Sequence, residues 1–144
     1  MRTVITYGTF DLFHLGHLRI LERSAALGDR LVVGVSTDEF NKTKDKVCIQ
    51  PFEERSAIVG AMRVVDGVFA ESSWDQKESD IERFDADLFV MGDDWDGKFD
   101  HLKALCEVTY LPRTEGVATT DRKEFISSGV VSAADWSGLS ETSS

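Results

Sequence analysis

Cysteine is scarce in this chain, and the two present, Cys48 and Cys106, have neither metal-ligand spacing nor the pattern of a disulfide framework. They read as reduced thiols of a cytoplasmic protein. Basic residues are also few, 16 Lys and Arg against 26 Asp and Glu, which leaves a net charge of −10. That balance argues against nucleic acid or an anionic membrane surface as a partner. No apolar run is long enough to span a bilayer. The chain enters a β-branched segment almost at once, so no signal peptide is expected. There is no internal repeat. What remains is 144 residues, 42% of them hydrophobic, enough for one domain with a single sizeable core.

The chain is organised around G-T-F-D-L-F-H-L-G-H, residues 8–17. A short strand, T-V-I-T-Y, precedes it, and Leu18, Leu21 and Ala25 follow at helical spacing. Gly28 is expected to stop that helix as a C′ glycine. Gly8 is expected to let the backbone turn sharply, and Gly16 to let a ligand approach closely. The junction presents a helix N-terminus, with unpaired N–H groups and a partial positive charge suited to phosphate. His14 and His17, three apart, share one face of the first turn. Two imidazoles there can donate to phosphate oxygens. A zinc pair is the competing reading, but zinc needs three or four ligands, and only His101 remains among the histidines. Simple packing of the two rings stays open.

Further on, R-L-V-V-G-V-S (30–36) is a nearly continuous apolar run, as in a parallel strand covered on both faces. Thr37, Asp38 and Glu39 read as turn, and residues 41–46 as a loop carrying Lys42, Lys44 and Lys46. Pro51 suits the first turn of a helix whose buried stripe is Ile58, Val59, Met62 and Val65. Arg55 and Arg63 lie off that stripe. Val68, Phe69 and Ala70 form a short strand, and residues 72–75 look like a helix start with a capping side chain. Residues 87–92 are the next strand. The acidic cluster 93–97 after it lies where open α/β sheets bind ligands, and its spacing is not that of an EF-hand. Residues 99–105 read as a short helix and 107–111 as the last strand, ended by Pro112. Thr119 or Thr120 can cap one more helix. Residues 1–127 are taken as the domain and 128–144 as a poorly ordered tail. Alternating strands and helices predict α/β architecture, a doubly wound parallel sheet.

The stretch 8–17 resembles the HxGH signature of the nucleotidyltransferase superfamily, and residues 113–120, R-T-E-G-V-A-T-T, resemble its second signature in the cytidylyltransferases. L-V-V-G-V-S-T-D-E-F-N and V-M-G-D-D-W-D-G-K-F-D are similar to the branch that activates glycerol 3-phosphate. The resemblance implies a Rossmann-like single domain, transfer of CMP from CTP to glycerol 3-phosphate, magnesium, and a cytoplasmic homodimer. It implies catalytic roles for His14, His17, Lys44 and Arg113. The nucleotide would meet Thr9, Phe10, His14, His17, Lys46, Asp94, Arg113, Thr114, Ala118 and Thr119. The second substrate would meet Asp11, Asp38, Lys44, Arg55, Arg63, Trp74 and Lys77. No metal-ligand set is visible. Ala118 stands where the family usually has serine. Competing readings are another alcohol phosphate (phosphocholine or phosphoethanolamine), ATP as donor, or a nucleotide-binding module without catalysis. A quaternary ammonium substrate calls for an aromatic cage.

Overall fold

A computed structural model describes residues 1–112. Five parallel strands carry the apolar runs: β1 (Thr3–Gly8), β2 (Arg30–Ser36), β3 (Gly67–Glu71), β4 (Leu88–Gly92) and β5 (Glu107–Leu111). Their order is β3-β2-β1-β4-β5, so the chain reverses its direction of travel between β1 and β4. Four helices connect them: α1 (Leu15–Ala25), α2 (Asp38–Thr43), α3 (Phe52–Gly60) and α4 (Gln76–Arg83). Short 3-10 turns, Asp93–Trp95 and Asp100–Ala104, lie between β4 and β5.

Side chains of a strand alternate between faces, and two cores result. Val4, Leu31, Val33, Val35, Leu88 and Val90 pack with Leu21 of α1 and Val59 of α3. Ile5, Val32, Phe89 and Met91 pack with Ile81 of α4 and Leu102. The sheet is therefore covered on both faces, which is why β2 reads as unbroken apolar sequence. Thr6 donates its hydroxyl to Val90 O at 2.6 Å, across the strand pair where the order reverses. No described helix is long and apolar enough to cross a membrane.

Several local expectations are corrected. Residues 38–43 are not turn and loop but helix α2, because Thr37 caps it by accepting from Phe40 N–H at 3.1 Å. Pro51 is the N-cap of α3 rather than a first-turn residue. α4 starts at Gln76 without a capping side chain at its N-cap, Asp75. Instead the Gln76 amide oxygen accepts from Ser72 N–H and Ser73 N–H. Residues 100–104 close as 3-10 helix.

Neither Gly8 nor Gly28 is in the left-handed region. The turn after β1 is made by Phe10 and Leu12, at φ 55° and 49°. Gly28 is required for space. A Cβ there would lie 2.7 Å from Arg2 O and 2.7 Å from Val4 Cγ2. Gly28→Ala is therefore expected to destabilise the protein by about 1–3 kcal/mol, the usual overpacking cost, seen as a lower urea midpoint. An unchanged midpoint would mean that the Arg2 backbone yields freely.

The expected tail 128–144, the helix near Thr119 and the domain limit at 127 lie outside the described residues.

Candidate active site

The HxGH junction is built by the backbone first. Phe10 is buried, and its ring packs so closely on Gly8 that a Cβ there would lie 2.7 Å from Phe10 Cε2. His14 is the N-cap of α1, and its Nδ1 accepts from Gly16 N–H at 3.0 Å. In return His17 Nδ1 accepts from His14 N–H at 3.1 Å. The two rings stack with centroids 3.9 Å apart. An Nδ1 that accepts an amide proton cannot carry its own. Both neutral imidazoles therefore hold their proton on Nε2 and present it as a donor.

Burial, then the proximity of His14, push the His17 pKa down to about 4. The sign follows from linkage. The unfolded chain binds a proton at His17 below about pH 6.5, the folded protein only near 4, so stability is lost as pH falls across that window. His17→Asn keeps an acceptor for His14 N–H and does not titrate. Its melting temperature is expected to fall less steeply between pH 6.5 and 4 than that of the parent. Parallel curves would remove His17 as the cause.

Beside this junction lies a cavity of about 100 Å³, lined among others by Thr9, Lys44, Lys46, Trp74 and Lys77. Strand ends Tyr7, Glu71 and Met91 form part of its wall, with Trp95 and Phe99. Lys44 Nζ sits 4.3 Å from the Phe40 ring centroid and 5.4 Å from that of Trp74. Desolvation, aided by the charges of Lys46 and Lys77 against the opposing pull of Glu71, lowers its pKa. Lys77 is 3% exposed and paired with Glu71, 4% exposed. Trp74, 46% exposed, packs edge-on against Phe40. Ser36 Oγ donates to Thr9 Oγ1 at 3.1 Å. Asp94 is exposed in the 3-10 turn directly after β4.

Three of the expected substrate residues are engaged by hydrogen bonds within the protein. Asp11 accepts from Ile49 N–H and Gln50 N–H at 2.9 and 3.0 Å, pinning the segment before α3. Asp38 accepts from Phe52 N–H and from Arg55 Nη2 at 2.7 Å. Those two bonds, the backbone one first, hold its carboxyl below the usual range. Arg55 is 0% exposed. Besides Asp38 it donates to Gln50 O at 3.0 Å, Thr9 O at 2.9 Å and Ser36 O at 2.8 Å. It lashes the loops after β1 and β2 to the start of α3. Arg63 is exposed beyond α3, near the start of β2, where Asp66 N–H reaches Leu31 O. That is the amino end of the sheet, whereas the cavity lies at the carboxyl ends of the strands, so among the described residues Arg63 does not join the cavity wall. Arg113, Thr114, Ala118 and Thr119 lie outside the described residues.

The sequence reading does not single out Tyr7, Glu71, Met91, Trp95 or Phe99. Glu71 had a signal, a lone acid ending the apolar strand V-F-A-E. No three His, Cys, Asp or Glu side chains stand together as a metal-ligand set among the described residues. Asp11 and Asp38 each accept two hydrogen bonds within the protein.

Residues 5–133 match the family model described as cytidylyltransferase-like. The chain belongs to the cytidylyltransferase-like family. It is 57% identical to the glycerol-3-phosphate cytidylyltransferase of Bacillus subtilis over 126 residues, covering 88% of this chain and 98% of that one. It is 52% identical to that of Staphylococcus aureus over 124 residues, covering 86% and 94%. A lipopolysaccharide core biosynthesis protein from Thermoplasma volcanium superposes with a TM-score of 0.66 at 29% identity, over 79% of this chain and 97% of its own. A putative nicotinate-nucleotide adenylyltransferase from Vibrio parahaemolyticus, 18% identical, matches with a TM-score of 0.61 over 91% of this chain and 90% of its own. That last likeness speaks to fold alone, a Rossmann-like α/β sheet, as expected from the alternating strands and helices.

Proposed function

We propose that this protein transfers CMP from CTP to glycerol 3-phosphate, giving CDP-glycerol and pyrophosphate. The observation that carries the reading is the 57% identity to a glycerol-3-phosphate cytidylyltransferase along almost its whole length. The paired Nε2 donors at the start of α1 supply the chemistry it needs. A phosphate monoester is mostly dianionic at neutral pH, its second pKa being about 6. It attacks without a general base. Its oxygen bonds to the α-phosphorus of CTP while the bond to the bridging oxygen breaks, and that electron pair leaves with pyrophosphate. His14 and His17 donate to the phosphate oxygens as charge shifts toward the leaving group. The α1 dipole acts in the same direction.

Thr9 and Phe10 shape the nucleotide side, with Lys46, Asp94, Arg113, Thr114 and Thr119. Lys44 and Lys77, beside Trp74, face the second substrate. Asp11, Asp38 and Arg55 act by holding the loops that carry Thr9 and Lys46. A magnesium ion accompanying the triphosphate would neutralise charge on its phosphates, and the described residues form no set of three ligands that would hold it on the protein. The protein acts as a cytoplasmic homodimer that supplies a cell-envelope polyol-phosphate polymer such as teichoic acid.

Pyrophosphate release from a matrix of four nucleoside triphosphates against several alcohol phosphates tests the assignment. CTP with glycerol 3-phosphate is expected to give the highest kcat/KM. A clear preference for ATP or for phosphocholine would overturn it.

A further inference from the structure

The cavity has an unusual wall. Lys77 Nζ lies 4.7 Å from the ring centroid of Tyr7, 5.1 Å from that of Trp74 and 5.3 Å from that of Phe99. It is also hydrogen-bonded to the Glu71 carboxylate. Three aromatic faces within about 6 Å of one cation, with a carboxylate beside them, are the recognition chemistry of a quaternary ammonium group. Here the protein's own ammonium fills that place.

The box is held rigidly. Tyr7 donates its hydroxyl to Asp80 Oδ2 at 2.7 Å. Burial, that bond and neighbouring carboxylates raise its pKa, so it stays a neutral donor. Gln76 donates to the same Asp80 oxygen at 2.9 Å and to Ala70 O at 3.0 Å. The same side chain accepts from the two N–H groups just before Trp74. Tyr7, Asp80 and Gln76 thus fix two of the three rings and the base of α4. Phe99 is packed between Phe89 and Trp95, at 5.2 and 5.6 Å.

We propose that Lys77 is the specificity-determining residue of this pocket: by occupying the Tyr7–Trp74–Phe99 box and neutralising Glu71, it excludes alcohol phosphates with a quaternary ammonium tail and leaves donors for a polyol. The specificity half rests on the function proposed above. The occupancy half does not. Lys44 gathers the anionic end of the second substrate, next to the nucleotide side of the pocket formed by Thr9 and Lys46. The tail then meets Lys77 and Glu71. A hydroxylated tail can exchange hydrogen bonds with that pair. A trimethylammonium tail would meet a like charge and find its box taken.

The test uses Lys77→Ala, which empties the box and leaves the Glu71 charge exposed to it. Tetramethylammonium chloride is the probe, with sodium chloride at equal ionic strength as control, read by thermal melting. The expected result is a rise in melting temperature for Lys77→Ala and none for the parent. Glu71→Gln/Lys77→Ala keeps the rings but no carboxylate and should respond more weakly. Lys77→Met, which refills the box without charge, should not respond. Equal responses in all four proteins would overturn the occupancy claim. An unpaired buried Glu71 is destabilising, so Lys77→Ala is also refolded in the presence of the probe. Failure of the probe to restore folding counts against the proposal.

In a second arm, the ratio of kcat/KM for phosphocholine to that for glycerol 3-phosphate is expected to rise at least tenfold in Lys77→Ala. A probe response without that rise would overturn the specificity role and leave the box intact. If the parent itself uses neither substrate, the proposed function fails while the thermal arm still decides the box.

Discussion

His14→Ala and His17→Ala are each expected to lower kcat by about two to three orders of magnitude, the usual loss for one preorganised donor. The two variants should not be equivalent. His14 is a proposed phosphate donor and also the N-cap of α1, accepting from Gly16 N–H. Its removal is expected to cost about 1 kcal/mol of stability as well, as cap losses do. His17 accepts from His14 N–H and thereby sets the orientation of the stacked ring pair. His17→Asn should restore the backbone bond without restoring the donor on Nε2, and so recover stability but little of kcat. Single-turnover kinetics with CTP, alongside urea melts, separates the two roles. Near-full kcat in a folded variant of either histidine would remove the junction from the chemistry.

The second large effect is expected at Arg55. Replacing it by methionine fills the volume but deprives the carbonyls of Thr9, Ser36 and Gln50 of their charged donor, along with the Asp38 carboxylate. Breaking one partner of such a buried network costs about 3–5 kcal/mol. A drop of many degrees in melting temperature is therefore expected, together with lost activity. Arg55→Lys should recover little, because a point charge cannot satisfy the directions of a planar fork. A residue that only touched substrate would behave otherwise: KM would rise and the melting temperature would hold. Arg63, exposed at the amino end of the sheet, should show no comparable loss of stability.

Arg55 and Arg63 sit eight positions apart near one helix, and sequence alone treats them as equals. Their difference comes from where the chain ends up. Arg55 is on the helix face under the loops after β1 and β2, whose carbonyls lack strand partners and need donors. Arg63 follows the helix after it has run back across the sheet. Asp11 and Asp38 teach the same lesson. The resemblance implies that both meet the second substrate, and here each is engaged by backbone N–H groups.

The features that sequence alone determined are local ones. Strand periodicity, the G-T-F-D-L-F-H-L-G-H junction and the three-residue spacing of His14 and His17 depend on contacts a few residues apart, which the chain's own geometry enforces. From these came the α/β class, the parallel sheet and the anion-facing helix start. Only the tertiary structure decided which side chains close the pocket. Tyr7, Glu71 and Met91 end strands that are far apart in sequence, and they meet because the strand order β3-β2-β1-β4 lines up those carboxyl ends. The turn at Phe10 and Leu12 was hidden for a related reason. Left-handed backbone at a phenylalanine and a leucine is disfavoured locally, and here packing of the Phe10 ring on Gly8 and the Leu12 N–H bond to Gln50 impose it from outside.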